Sequence, residues 1–175
     1  MRAIDTYHIH LKPLEKSDIE LVRTWRNSEH VRSNMCYRKT ISVSDQKAWF
    51  ERLDANQHYY LIITENIPIG LINVKDIDST AMVGEAGVFI GDLKYKDNPI
   101  VVNAILALMD YYFEKLHFTA LTAKVLKEND TALFMNLELG YQIINTDATC
   151  YYLQITPEDY FNKTANFRAL LARSS

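Results

Sequence analysis

A chain of 175 residues that is 48% hydrophobic and 23% charged fits one ordinary globular domain with a sizeable core. Its net charge of −3 gives no electrostatic reason to expect nucleic acid as the main partner, and no apolar run approaches the length that crosses a bilayer. Arg2, Asp5, His8 and His10 interrupt the first twelve residues, which excludes a secretion signal there. Cys36 and Cys150 stand outside any C-x-x-C pattern and read as two reduced thiols of a cytoplasmic protein.

In chain order, Tyr7 to Lys12 reads as a strand, and Ser17 with Glu20 has the spacing of a capping box. The helix behind it carries Ile19, Val22 and Trp25 on one face and ends near Asn27 and Ser28. A second helix is predicted over Val43 to Leu53. His58 to Thr64, rich in Tyr, Leu and Ile, is a buried strand; Glu65 and Asn66 turn the chain, and Ile67 to Val74 returns. Glu85 to Ile90 is a further strand, followed by a polar stretch to Asn98. Asn98 as cap and Pro99 in the first turn open a helix running to Leu116, with Val101, Ala104, Ile105, Leu108, Met109 and Tyr112 on its apolar face. Thr119 to Leu126 is a strand. Asn129 and Asp130 cap a shorter helix that Gly140 ends, Tyr141 to Ile144 and Thr149 to Ile155 form a hairpin, and Thr156-Pro157-Glu158-Asp159 starts a last helix over about 157–172. The order β-α-α-β-β-β-α-β-α-β-β plus a tail helix describes a single α/β (α+β) domain over 1–175.

Three segments carry a family resemblance. Asn129-Asp-Thr-Ala132 running to Leu139-Gly140-Tyr141, and Glu85-Ala-Gly-Val-Phe-Ile-Gly-Asp92, resemble the cofactor segments of the GNAT superfamily of acetyl-CoA-dependent N-acetyltransferases. Trp25-Arg26-Asn27-Ser28, Val31-Arg32, Met35, Ile41-Ser42 and Trp49-Phe50 resemble the acetyltransferases of nucleotide-linked amino sugars, the pseudaminic acid pathway group among them. The resemblance implies the GNAT fold, a mixed, mainly antiparallel sheet with helices on both faces that splits where Val88 to Ile90 leave Thr122 to Val125, with acetyl-CoA as co-substrate and a small amine acceptor, a nucleotide-sugar. It implies no nucleic acid, membrane or metal, and it is compatible with a homodimer. Protein N-terminal acetylation of the ribosomal-protein type is the alternative activity, and a GNAT-fold binding protein without catalysis is the alternative class.

On the same resemblance, the backbone of Val88, Phe89 and Ile90 pairs with the pantetheine, and Asn129 and Ala132 frame the cofactor segment. The diphosphate site falls at Lys96-Asp97-Asn98-Pro99-Ile100-Val101, where both family glycine positions are changed, to Pro99 and Val101, and where Asn98 caps N–H groups that a phosphate would use. Lys94 and Lys96 supply charge in their place. Glu85 stands where relatives put a carboxylate near the amine, as general base. Asn136 stands at the thiol-protonating tyrosine position, and Asn cannot readily give up a proton. Arg26, Asn27, Gln46 and Lys75 are the acceptor contacts, Arg26 because a guanidinium grips phosphate bidentately. The structural alternative pairs Arg26 with Glu20, Glu29 or Glu51. His8 and His10 on one strand face would make half a metal site with no third ligand in view.

Overall fold

The computed structural model describes residues 1–172. Its first departure from expectation is at the start. Strand β1 (Ile4–Thr6) and strand β2 (Ile9–Pro13) form a hairpin where one strand was predicted. Tyr7 and His8 make the turn at φ 54° and 61°, and neither residue advertises a left-handed turn in the sequence. His8 therefore lies in the turn and not beside His10 on a strand face.

Helix α1 (Ile19–Asn27) is entered through a 3-10 turn, Lys16–Asp18. The predicted capping box is displaced: Asp18 accepts from the Glu15 N–H at 3.0 Å, and Lys12 holds Asp18 at 3.0 Å. Glu20 pairs instead with Arg23, 2.6 Å away. A short helix α2 (Glu29–Arg32) follows, then α3 (Val43–Glu51), capped by Ser42 accepting from the Asp45 N–H.

Strands β3 (His58–Thr64), β4 (Ile67–Asp78) and β5 (Val83–Ile90) form an antiparallel meander. Helix α4 (Ile100–Asp110) opens as predicted, with Asn98 Oδ1 accepting from the Ile100 N–H at 2.9 Å. It passes at Asp110 into a π turn (Tyr111–Lys115) in place of the regular helix expected to Leu116. Strand β6 (Ala120–Leu126), helix α5 (Asp130–Leu139, closed by Gly140 at φ 108°), strands β7 (Gln142–Thr146) and β8 (Cys150–Ile155), and helix α6 (Pro157–Ala172) complete the described chain.

The eight strands form one sheet in the order β1-β2-β3-β4-β5-β6-β8-β7. Every pairing is antiparallel except β5 with β6. That parallel contact covers only Val83–Glu85 against Ala120–Thr122, so the strands part beyond Glu85 and the sheet splays at its middle as expected.

Alternation along the strands sends Ile72, Val74, Leu121 and Leu153 to a rear core with α4 residues such as Leu106 and Leu108. Leu61 and Leu71 go to a smaller front core under Val22 and Trp25 of α1. Each fully buried Leu or Ile contributes roughly 1.5–3 kcal/mol over its exposed state. The front layer also needs Gly91, because a Cβ there would lie 2.1 Å from the Trp25 ring.

Candidate active site

The splay leaves one edge of β5 unpaired from Ala86 to Ile90 while β4 holds the other edge in register. Unpaired peptide groups at a strand edge accept an extended ligand as an added strand. Val88, Phe89 and Ile90, the three residues expected to hold a pantetheine, lie on this edge.

Residues of the front face meet the same opening. Across β3, β4 and β5, Leu61, Leu71 and Phe89 form one row and Tyr59, Asn73 and Gly87 the next, while β4, β5 and β6 align Lys75, Glu85 and Thr122. Arg26, from α1, places its guanidinium 6.0 Å from the Phe89 ring centre. It makes none of the three ion pairs considered: Glu20 is bound to Arg23 and Glu29 to Arg32, and Arg26 Nη1 is buried with no hydrogen-bond partner. Burial pulls its pKa below the ordinary arginine value. Gln46, on α3 one turn before Trp49 and Phe50, is 4% exposed and its Nε2 is also without a partner. Asn73 Nδ2 is in the same condition.

Asn27 is occupied differently. Its carboxamide donates to the Ile41 carbonyl (2.9 Å) and accepts from the Ile41 N–H (2.8 Å), so it braces the loop between α2 and α3. Lys75 Nζ lies 3.0 Å from Glu85 Oε1 and 3.3 Å from Asp76, so the expected phosphate contact is the partner of the expected base. Carboxylate neighbours keep the Lys75 pKa above its usual value despite desolvation, which is the largest influence and acts downward.

At the start of α4 the N–H groups are taken. Asn98 Oδ1 receives Ile100 N–H, the Asn98 carbonyl receives Val101 N–H, and the Pro99 carbonyl receives Val102 N–H. Val101 is 9% exposed and belongs to the rear core. A glycine-type phosphate nest is closed here, and Lys94 and Lys96 stand exposed beside it. At α5, Asn129 caps the helix by accepting from Ala132 N–H (3.1 Å), and Asn136 donates one amide hydrogen to the Ala132 carbonyl (2.7 Å). Tyr141, just beyond the helix, is buried, and burial raises its pKa above the ordinary tyrosine value.

Residues 8–142 match the acetyltransferase (GNAT) domain family. The chain belongs to that family and is an N-acetyltransferase. Acetyltransferase PseH of Campylobacter jejuni is 29% identical over 143 residues, 80% of this chain and 87% of that protein. The structure of apo FdhC, a nucleotide-linked sugar GNAT, superposes with a TM-score of 0.82 at 21% identity, covering 97% of this chain and 98% of that one. Spermidine N-acetyltransferase of Vibrio cholerae, solved with CoA and spermine, superposes at 0.75 with 18% identity over 89% and 99% of the two chains. At such identities these structures establish the shared GNAT fold, not the acceptor.

The structure brings Glu85, Lys75, Arg26 and the β5 edge to the front face at the splay, and it puts two residues the sequence reading passed over on the same face, Tyr59 and Asn73. The signal for Asn73 was available: Leu71, Asn73 and Lys75 alternate onto one face, so a polar residue at 73 belongs to a front surface and not to a plain core strand. No helix among the described residues is long and apolar enough to cross a membrane.

Proposed function

We propose that the enzyme acetylates the amine of an anionic, oxygen-rich acceptor, a nucleotide-linked amino sugar, with acetyl-CoA as donor. The observation that carries this reading is the set of orphan donors. Among the described residues four buried side-chain nitrogens lack a hydrogen bond, and three of them, Arg26 Nη1, Gln46 Nε2 and Asn73 Nδ2, belong to the front layer of α1, α3 and β4. All three are N–H groups, and an unpaired buried donor costs about 1–3 kcal/mol until an acceptor meets it. Phosphate, hydroxyl and carbonyl oxygens are such acceptors. A protonated polyamine brings only donors and positive charge, and so satisfies none of the three. The likeness to PseH and to FdhC supports the same choice.

Acetyl-CoA supplies an acetyl thioester to this site. The unpaired edge of Ala86 to Ile90 holds its pantetheine. Lys94 and Lys96 take the diphosphate by charge, because the α4 N–H groups are occupied. Glu85, held in place by Lys75, takes the proton that the acceptor nitrogen sheds. Asn136 keeps a second amide hydrogen for the sulfur and has no proton to release, so water protonates the departing thiolate.

Thiol release from acetyl-CoA, measured against amino-sugar nucleotides, peptides and polyamines, tests the reading. Turnover is expected with sugar nucleotides. Reaction of peptides or polyamines while every sugar nucleotide stays inert overturns it.

A further inference from the structure

We propose that Asn73 orients the acceptor sugar, donating a hydrogen bond to a neutral oxygen substituent of the ring between the amine and the diphosphate linkage. This rests on the acceptor reading above and assigns the part of the site that lies between its two ends.

The front face of β5 presents three stations at alternate residues: Glu85, Gly87 and Phe89. Glu85 is the proton acceptor. Phe89 carries the Arg26 guanidinium above its ring. Four residues of strand separate these two stations by roughly 13 Å. That span accommodates a sugar with its amine at one end and its diphosphate linkage at the other, and puts the pyranose ring over the middle station. The middle station is a glycine, so nothing projects from the strand where the ring would rest.

Asn73 reaches over that glycine. It is the cross-strand partner of Gly87, and a Cβ added at residue 87 would lie 3.2 Å from Asn73 Oδ1 and 3.6 Å from Nδ2. The carboxamide therefore leans over the glycine. Gly87 is two residues beyond the last β5–β6 pair, Glu85 with Thr122, so the amide flanks the mouth of the splay. Its Nδ2 is buried and satisfied by nothing in the protein. The side chains facing it are Tyr59 in the same row, and Leu71 and Lys75 along its own strand; Lys75 is a cation already engaged by Glu85 and Asp76. An unpartnered amide donor between a carboxylate station and a guanidinium station matches a neutral hydroxyl or acylamino oxygen on the ring.

The test uses the full chain and an acceptor on which the wild type turns over, together with deoxy forms of the same acceptor that each lack one oxygen substituent of the ring. Asn73→Leu keeps the side-chain volume and Asn73→Asp keeps the shape while replacing the donor. Both are expected to raise acceptor KM by about ten-fold with acetyl-CoA KM within about two-fold of wild type, the loss of one hydrogen bond to a neutral group. One of these deoxy forms should erase the difference between wild type and Asn73→Leu. Gly87→Ala, which pushes the amide, should fall between. An unchanged acceptor KM in both Asn73 variants overturns the inference, as does a penalty that persists undiminished with every deoxy form, which would mark a purely structural role. Failure of the acceptor reading has a separate signature: the wild type itself is inert on every sugar nucleotide.

Discussion

The two faces of the sheet treat buried polar groups in opposite ways. On the rear, Asp110 at the end of α4 receives the Tyr7 hydroxyl at 2.5 Å and the Tyr160 hydroxyl at 2.8 Å. Arg168 of α6 brings Nε to 2.9 Å, within ion-pair distance though off the hydrogen-bond line, and reaches Glu114 at 2.6 Å with Nη2. Asn103 donates to the Tyr7 carbonyl, and His58 Nδ1 meets the Tyr112 hydroxyl at 2.5 Å. On the front, Arg26, Gln46 and Asn73 end in nitrogens that meet nothing. Buried polar groups that are satisfied hold a fold together; those left open cost stability until water or a ligand meets them. The rear face is a fastening, and the acceptor site proposed above draws on the open donors of the front face.

This contrast predicts that rear substitutions act on stability and front substitutions on acceptor kinetics. The largest effect is expected at Asp110. Asp110→Ala strands the part-buried Arg168 and two tyrosine hydroxyls, and losing hydrogen bonds to a charged group costs about 1.5–3 kcal/mol, which lowers the melting temperature by roughly 5–10 °C in a chain of this size. Calorimetric CoA affinity should stay within experimental error of wild type; a weakened CoA site would join the two faces functionally and break the comparison.

Arg26→Leu should do the reverse. Melting should hold or rise, because a buried unpaired charge is gone, while acceptor KM climbs by about ten- to a hundred-fold, the worth of a hydrogen bond to a charged group. A destabilised Arg26→Leu protein with normal acceptor KM would make Arg26 a structural residue.

Glu85→Gln is expected to lower kcat by about ten-fold or more with CoA binding nearly unchanged. Equal activity of mutant and wild type across a pH series would remove Glu85 from the chemistry.

The smallest effect concerns the rear histidine. Burial holds the His58 pKa below its ordinary 6.5. The unfolded chain therefore takes up a proton near pH 6.5 that the folded chain refuses, and stability is constant above that pH and declines below it, by at most about 1.4 kcal/mol per pH unit. Melting curves between pH 7.5 and 5.5 should record the decline, and His58→Gln should flatten it.

The elements with regular periodicity were legible from the residues alone. The β3 strand falls at His58–Thr64 as read, and the Asn98 cap, the Gly140 stop and the Thr156 start all stand where their chemistry put them. The split between β5 and β6 came through family resemblance, since no local pattern encodes where two strands part. What escaped was set by tertiary context. The first hairpin was hidden because tyrosine and histidine make its turn, and the capping box slid from Ser17 to Glu15 because Lys12 supports Asp18. At the site, family resemblance named Glu85, but only the folded chain reveals that Lys75 is bound to it, that Asn27 is spent on Ile41, and that Arg26 makes no ion pair among the described residues.

The turns that join β1 to β2 and β3 to β4 have a kinetic consequence. Tyr7 and His8 in the first, and Glu65 and Asn66 in the second at φ 50° and 65°, occupy left-handed backbone that only asparagine among them visits readily. Such turns do not close by themselves in an unfolded chain. They are held by the strands on either side, and Asn103 steadies the first by donating to the Tyr7 carbonyl. Replacing Glu65 and Asn66 by Asn and Gly would let the second hairpin begin folding from its turn.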